Sequence, residues 1–276
     1  MLKKRIITSL WYAPLLGAVV WFGSEAGFTA LIVILGVLAA IEFYSMVAAS
    51  KSQPLTYFGL IWTALFILSR STELLSLLKP HVNVDLQSIL LTSAVVLSLI
   101  GLLGRRQKGG VFISWAWTLA GILYVGWLLS HFVALRGLDD GRNWVFFVLF
   151  VTWASDTAAF FIGRALGKHK LAPNISPGKT WEGAMGGICG AIIVSILFFT
   201  TTPVHLPIVY WQATILSVLV SVFGQLGDLL ESLLKRRMGV KDSGRLMPGH
   251  GGVLDRIDSI VFASVVVYYY VIWVII

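Results

Sequence analysis

The feature that most constrains this chain is a succession of apolar runs, many close to the thickness of a bilayer's hydrocarbon core. A helix needs about 20 apolar residues to cross that core, fewer if neighbouring groups reach out to meet it. Runs of this kind occupy Leu10–Phe22, Gly27–Ala48, Leu55–Leu68, Gln87–Leu103, Val111–Leu135, Trp144–Ala165, Ala184–Thr200, Pro207–Leu234 and Ile257–Ile275. Backbone N–H and C=O groups in hydrocarbon must be paired within their own segment, so each run is predicted to be a helix. The expected fold is an all-α, polytopic integral membrane protein of about nine transmembrane helices. Hydrophobic residues make up 57% of the chain and charged residues only 12%, which excludes an ordinary soluble domain.

The cations set an orientation. With nine spans and a cytoplasmic N-terminus, every Lys and Arg except Arg70, Lys79, Arg136 and Arg142 falls on the cytoplasmic side. That asymmetry is the positive-inside pattern. It accounts for the net charge of +8 without nucleic acid, and no nucleic-acid partner is expected. Lys3-Lys4-Arg5 ahead of the first run resembles a signal-peptide start, but no small-residue cleavage site leads into a polar chain. The first run is therefore read as a retained helix. The single cysteine, Cys189, excludes a disulfide framework and reads as a packing residue.

Chemistry is unevenly spread. Residues 1–140 carry few polar groups inside their spans, with Glu42 the main exception. Residues 141–276 carry three polar constellations, and no soluble linker separates the halves, so the chain reads as one continuous membrane domain. The first constellation is Asp156, a carboxylate within a span, which by default faces the protein interior or a water-filled cavity.

The second is the loop 167–183. Its Gly178-Lys179-Thr180 invites a P-loop reading, but the glycine required five residues earlier is Pro173, and a membrane helix stands where a strand should precede. What remains is a cationic loop in which Ser176 and Pro177 read as the cap and first position of a helix, with Lys179 beside a phosphate-sized helix N-terminus.

The third runs from Ser232 to Ser259. It holds Lys235, Arg236, Arg237, Lys241, Arg245 and Arg256, the carboxylates Asp242, Asp255 and Asp258, and the turn Pro248-Gly249-His250-Gly251-Gly252. Glycines let backbone N–H groups approach an anion closely. Asp228, Glu231, Ser232 and Lys235 fall at i, i+3, i+4 and i+7 on one helical face, and Asp255, Asp258 and Ser259 repeat the i, i+3, i+4 spacing. Carboxylates with phosphate oxygens form the usual Mg²⁺ shell, whereas zinc would call for more His or Cys. The segment therefore suits a metal-bound phosphate.

The run Ser232-Leu-Leu-Lys-Arg, then Lys241-Asp242-Ser243-Gly244, Pro248-Gly249-His250-Gly251-Gly252 and Asp255-Arg256-Ile-Asp258 resembles the signature of the phosphatidate cytidylyltransferases (CDP-diacylglycerol synthases). The block from Asp156 through Arg164 to Gly183 resembles the family's other polar segment, with Ala158 where glycine is expected. The likeness is strong over about 150–260; upstream only the hydrophobic layout agrees.

The resemblance implies a Mg²⁺-dependent transfer of the cytidylyl group of CTP to phosphatidic acid, with pyrophosphate released. It implies Asp228, Glu231, Asp255 and Asp258 as metal ligands, and Lys235, Lys241 and Arg256 as further catalytic groups. Asp156, Ser176, Lys179, Arg236, Gly249, His250, Gly251 and Gly252 are implied as substrate contacts. It also implies a bacterial-type inner membrane, a cytoplasmic active site, a lipid-facing or oligomerising role for 1–140, and room for a second cation and a homodimer. Two other readings share the setting. A CTP-using lipid kinase would transfer the γ-phosphate instead, and an ion-coupled transporter would use Asp156 and Asp228 as its path. A CDP-alcohol phosphotransferase would need an Asp-Gly-led acidic motif that the sequence lacks.

Overall fold

The computed structural model describes residues 14–78, 85–104, 110–199, 204–244, 246 and 251–276. The helices are α1 (14–22), α2 (Glu25–Ala49), α3 (Thr56–Leu68), α4 (Thr72–Leu78), α5 (Leu86–Leu103), α6 (Val111–Gly121), α7 (Leu128–Arg136), α8 (Gly141–Leu166), α9 (Trp181–Phe199), α10 (Tyr210–Arg237) and α11 (Leu254–Tyr270). A π-helical turn, Ile122–Trp127, joins α6 to α7, and another, Val271–Ile275, extends α11. Two short strands, β1 (Lys170–Ala172) and β2 (Ser176–Thr180), pair antiparallel.

Among the described residues, six helices are long and apolar enough to cross a membrane: α2, α5, the continuous α6–α7, α8, α10 and α11 with its extension. They coincide with six of the expected runs. Two further runs appear as the shorter apolar helices α3 and α9. The first run is helical over 14–22, and its earlier part, with Lys3, Lys4 and Arg5, lies outside the described residues.

The helices fall into two compact units. One extends to Gly137 and takes in Met238–Asp255; the other is Leu138–Arg237 with Arg256–Ile276. The first unit is centred on the side chains of Phe28, Phe43, Tyr44, Phe66, Ile67 and Ile122, all fully enclosed. The Tyr44 ring is wedged between Gly59 and Gly121, where an added Cβ would come within 2.2 and 2.5 Å of it, and its hydroxyl donates to the Thr118 carbonyl at 2.8 Å.

In the second unit, α8, α9 and α10 pack through small residues, as membrane helices do when close backbone approach replaces a hydrophobic driving force. Gly190 of α9 faces Ala158 of α8, and a Cβ on residue 190 would lie 2.5 Å from the Ala158 methyl. The methyl that departs from the family pattern is thus accommodated by a glycine opposite it. Polar links join them as well: Ser155 and Ser221 hydroxyls meet at 2.7 Å, the Ser195 hydroxyl donates to the Ala213 carbonyl at 3.1 Å, and Gln225 donates to the Ala184 carbonyl at 3.2 Å.

Two expectations are corrected. Ser176 and Pro177 do not start a helix. Their segment pairs with β1, with Lys170 opposite Thr180 and Ala172 opposite Ser176, so its backbone groups are satisfied across a hairpin. The helix begins at Trp181, and Thr180 caps it by accepting from the Gly183 N–H at 3.1 Å. Apart from this short hairpin the described elements are helices, in keeping with an all-α membrane protein. Cys189, expected in packing, is exposed on α9 among the described residues.

Candidate active site

The second unit gathers most of the acidic candidates. Asp156 projects from α8, Asp228 from α10 and Asp258 from α11, and each lies within electrostatic reach of the other two. Lys179 and Arg256 act on Asp156, and Lys235 acts on Asp258. Asp258 is buried and its Oδ1 accepts from the Ser259 N–H at 2.7 Å, while Asp156 is exposed. Close approach of α10 and α11 makes this arrangement: a Cβ on Gly227 would sit 2.6 Å from the Asp258 carbonyl oxygen.

Two cations already serve two carboxylates. Lys179 Nζ pairs with Asp228 Oδ2 at 2.7 Å, so the lysine of the hairpin, at the end of β2, reaches α10. Lys235 pairs with Glu231 one turn back on α10, and both side chains are largely enclosed. The Ser232 hydroxyl leans on Asp228 Oδ1 at 3.4 Å. Arg236 donates to the Ile175 carbonyl at 3.3 Å, tying the end of α10 to the hairpin turn. Ser176 is half-buried in β2. His169 pairs with Glu182 at 2.6 Å and brackets the hairpin base.

The positive end of the α10 sequence is favoured by the helix dipole, since Lys235, Arg236 and Arg237 stand in its last turn. Gly239, at φ +72°, then turns the chain out of the helix as a glycine C-terminal cap does.

The first unit holds the other part of the signature. Lys241 is exposed there. Asp255 Oδ2 accepts from the Ser243 N–H at 3.0 Å, the Ser243 hydroxyl at 3.0 Å and the Gly252 N–H at 2.7 Å. Gly251 adopts φ +83°, and a Cβ there would meet Asp255 Oδ2 at 2.4 Å, so the turn admits only glycine on both counts. Gly249 and His250 lie outside the described residues.

One residue that the sequence did not place belongs to this part. Glu42, buried in α2, accepts from the Val253 N–H at 3.0 Å, the Leu254 N–H at 2.9 Å and the Ser243 hydroxyl at 3.0 Å. The two amides are that of Leu254, the first of α11, and that of Val253 just before it, whose side chain has no acceptor to offer as a cap. The missing local cap was the available signal, together with a lone carboxylate in an apolar span.

Among the described residues, no three His, Cys, Asp or Glu side chains converge closely enough to cage an ion by themselves. The donor set instead suits a Mg²⁺ that takes one or two carboxylates and fills its shell with substrate phosphate oxygens and water. Asp228 and Asp258, with lysines alongside, supply that combination.

The second unit thus brings three carboxylates, two lysines and an arginine together in a chain of membrane-spanning helices. Residues 3–274 match the family model described as Cytidylyltransferase family, and this chain belongs to that family. It is 43% identical over 180 residues to a phosphatidate cytidylyltransferase of Staphylococcus haemolyticus, covering 65% of this chain and 66% of that protein. It is 46% identical over 153 residues to one of Bacillus subtilis, covering 55% of this chain and 56% of that protein. A third, from Brucella suis, is 36% identical over 268 residues, 97% of this chain and 92% of that protein. The chain is an integral membrane protein.

Proposed function

We infer that this protein transfers the cytidylyl group of CTP to phosphatidic acid, forming CDP-diacylglycerol and pyrophosphate in phospholipid biosynthesis. The observation that carries the reading is the Asp156–Asp228–Asp258 cluster with Lys179, Lys235 and Arg256 beside it, in a chain of this family.

An oxygen of the lipid phosphate attacks the α-phosphorus of CTP. A new phosphorus–oxygen bond forms, the bond to the bridging α–β oxygen breaks, and pyrophosphate leaves with the electron pair. The lipid phosphate is already anionic at neutral pH, so no general base is required. The protein's task is to position two anions and offset their mutual repulsion. Lys179 and Lys235 are assigned to the phosphates, exchanging Asp228 and Glu231 for substrate oxygens when CTP arrives. Arg256, Lys241 and Arg236 are assigned to add positive charge, Ser176 and Asp156 to contact substrate, and Gly249, His250, Gly251 and Gly252 to bind phosphate, as the family resemblance implies.

Asp228 and Asp258 are the principal candidates to hold Mg²⁺, with Glu231 one turn from Asp228 on α10, and the family resemblance adds Asp255 to the acidic set. The ion would neutralise charge on the phosphoryl oxygens, and a second cation is compatible with the donor set. The orientation follows the cation asymmetry: nine spans, a cytoplasmic N-terminus and a cytoplasmic active site in a bacterial-type inner membrane. Lipid tails enter sideways from the bilayer, and the lipid-facing surface of residues 1–140 leaves room for a homodimer.

The test uses purified protein in micelles with Mg²⁺, phosphatidic acid and CTP labelled at the α-phosphate. Label entering lipid with matching pyrophosphate is the expected result, abolished by EDTA and restored by Mg²⁺. Label remaining in soluble CDP while the lipid gains a phosphate would assign a lipid kinase instead.

A further inference from the structure

Three acidic side chains are buried among the described residues: Glu42, Glu231 and Asp258. Glu231 is answered by Lys235, and Asp258 lies within electrostatic reach of Lys235 and of the carboxylates Asp156 and Asp228. Glu42 has no ion-pair partner among the described residues and is answered by three hydrogen-bond donors, from Ser243, Val253 and Leu254. These donors lie 201 to 212 positions away in the chain.

A serine or aspartate at position 253 would cap α11 without burying a charge in an apolar helix. The chain instead places a carboxylate inside α2, a costly choice at membrane depth. The surroundings are built around it. A Cβ on Gly244 would lie 2.3 Å from Glu42 Oε1, and a Cβ on Gly252 would lie 2.2 Å from Oε2, so neither position tolerates a side chain while Glu42 holds the loop.

The Ser243 hydroxyl makes this more than a cap. It stands 3.0 Å from Glu42 Oε2 and 3.0 Å from Asp255 Oδ2. A hydroxyl has one proton and donates to one acceptor at a time, so the bond offered to Asp255 depends on the one offered to Glu42. Asp255 stands in the first turn of α11, and Asp258 follows one turn later on the same helix.

We propose that Glu42 is a positioning residue for the transfer reaction, anchoring the signature loop and setting Asp255 through the shared Ser243 hydroxyl. The proposal rests on the cytidylyl-transfer reading above. The same helix supplies an internal control. Glu25, in the first turn of α2, accepts from the Ser71 hydroxyl at 3.0 Å and from the Thr72 and Glu73 amides, and so caps α4. It is a long-range carboxylate cap of the same kind, attached to no signature residue.

The experiment compares Glu42→Gln, Ser243→Ala, the double variant and Glu25→Gln in the micelle assay, with thermal melting and amide exchange over residues 251–255. Glu42→Gln is expected to lower kcat by about tenfold or more while the KM for phosphatidic acid moves less than about twofold. Exchange at residues 252–254 should quicken. Ser243→Ala should show a comparable kcat loss, and the double variant should be no worse than the more damaged single, as for groups acting along one path. Glu25→Gln should lower the melting temperature and leave kcat unchanged.

Wild-type kcat in Glu42→Gln or Ser243→Ala would overturn the proposal, as would losses that multiply in the double variant. Equal kcat losses from Glu25→Gln and Glu42→Gln would reduce Glu42 to a stabilising cap and overturn it too. Should Glu42→Gln fail to fold, Ser243→Ala decides alone, because it removes only the hydroxyl between the two carboxylates. A wild type that forms no CDP-diacylglycerol sinks the functional reading and this one with it; an active wild type with an unaffected Glu42→Gln sinks this one alone.

Discussion

The two units each concentrate carboxylates, and Glu42 in the first is answered differently from Asp228 and Glu231 in the second. In the second unit Asp228 and Glu231 are met by the lysines Lys179 and Lys235, and Asp156 and Asp258 share the same field. In the first unit Glu42 is met by two backbone amides and one serine hydroxyl. A lysine on a flexible stem can leave a carboxylate for a phosphate; an amide at a helix start cannot leave without unravelling the turn. The proposed function assigns exchange during turnover to the lysine-paired carboxylates and anchoring of the loop to Glu42.

The comparison can be broken at several points. The largest effect is expected from Asp258→Asn, which keeps the shape of the side chain but removes its charge; kcat should fall by about a hundredfold or more, as when a group that stabilises transition-state charge is lost. Steady-state rates on folded protein check this.

Glu231→Gln addresses stability first. It removes the carboxylate one turn from Lys235 in a largely enclosed position, and breaking a buried pair in this way costs about 3–5 kcal/mol. Replacing both residues, as Glu231→Leu with Lys235→Met, should recover most of the melting temperature but not the activity, because Lys235 is assigned to phosphate. Full activity in that double variant would remove Lys235 from the site.

Lys179→Ala should be milder. Asp228 is partly exposed, so the pair adds little to stability, and the loss should appear as about a tenfold drop in kcat/KM for CTP with an unchanged melt. The smallest effect is expected from Thr180→Val, which removes the cap of α9 and should cost about 1 kcal/mol, read as a lower melting temperature.

The spans were legible because run length is a local property of the sequence, and six of the runs are helices of spanning length. Lys235 and Glu231 were legible as neighbours through their i, i+4 spacing. The hairpin was not. Ser176-Pro177 has the local chemistry of a helix start, and only pairing with residues 170–172 decides otherwise. The Lys179–Asp228 contact depends on that hairpin and was hidden with it. Glu42 was visible as an oddity, but its partners lie more than 200 positions away, and no local pattern connects them. Cys189 illustrates the same limit, since an apolar helix does not reveal which of its faces is exposed.

The central claim is that α10 and α11 carry the metal-dependent chemistry through Asp228 and Asp258. It is tested most directly by titrating CTP into solubilised protein with and without Mg²⁺, for wild type and Asp258→Asn. The expected result is wild-type binding that strengthens at least about tenfold with Mg²⁺, and a folded variant in which that dependence is gone. An Asp258→Asn protein that keeps the wild-type response to Mg²⁺ would contradict the assignment.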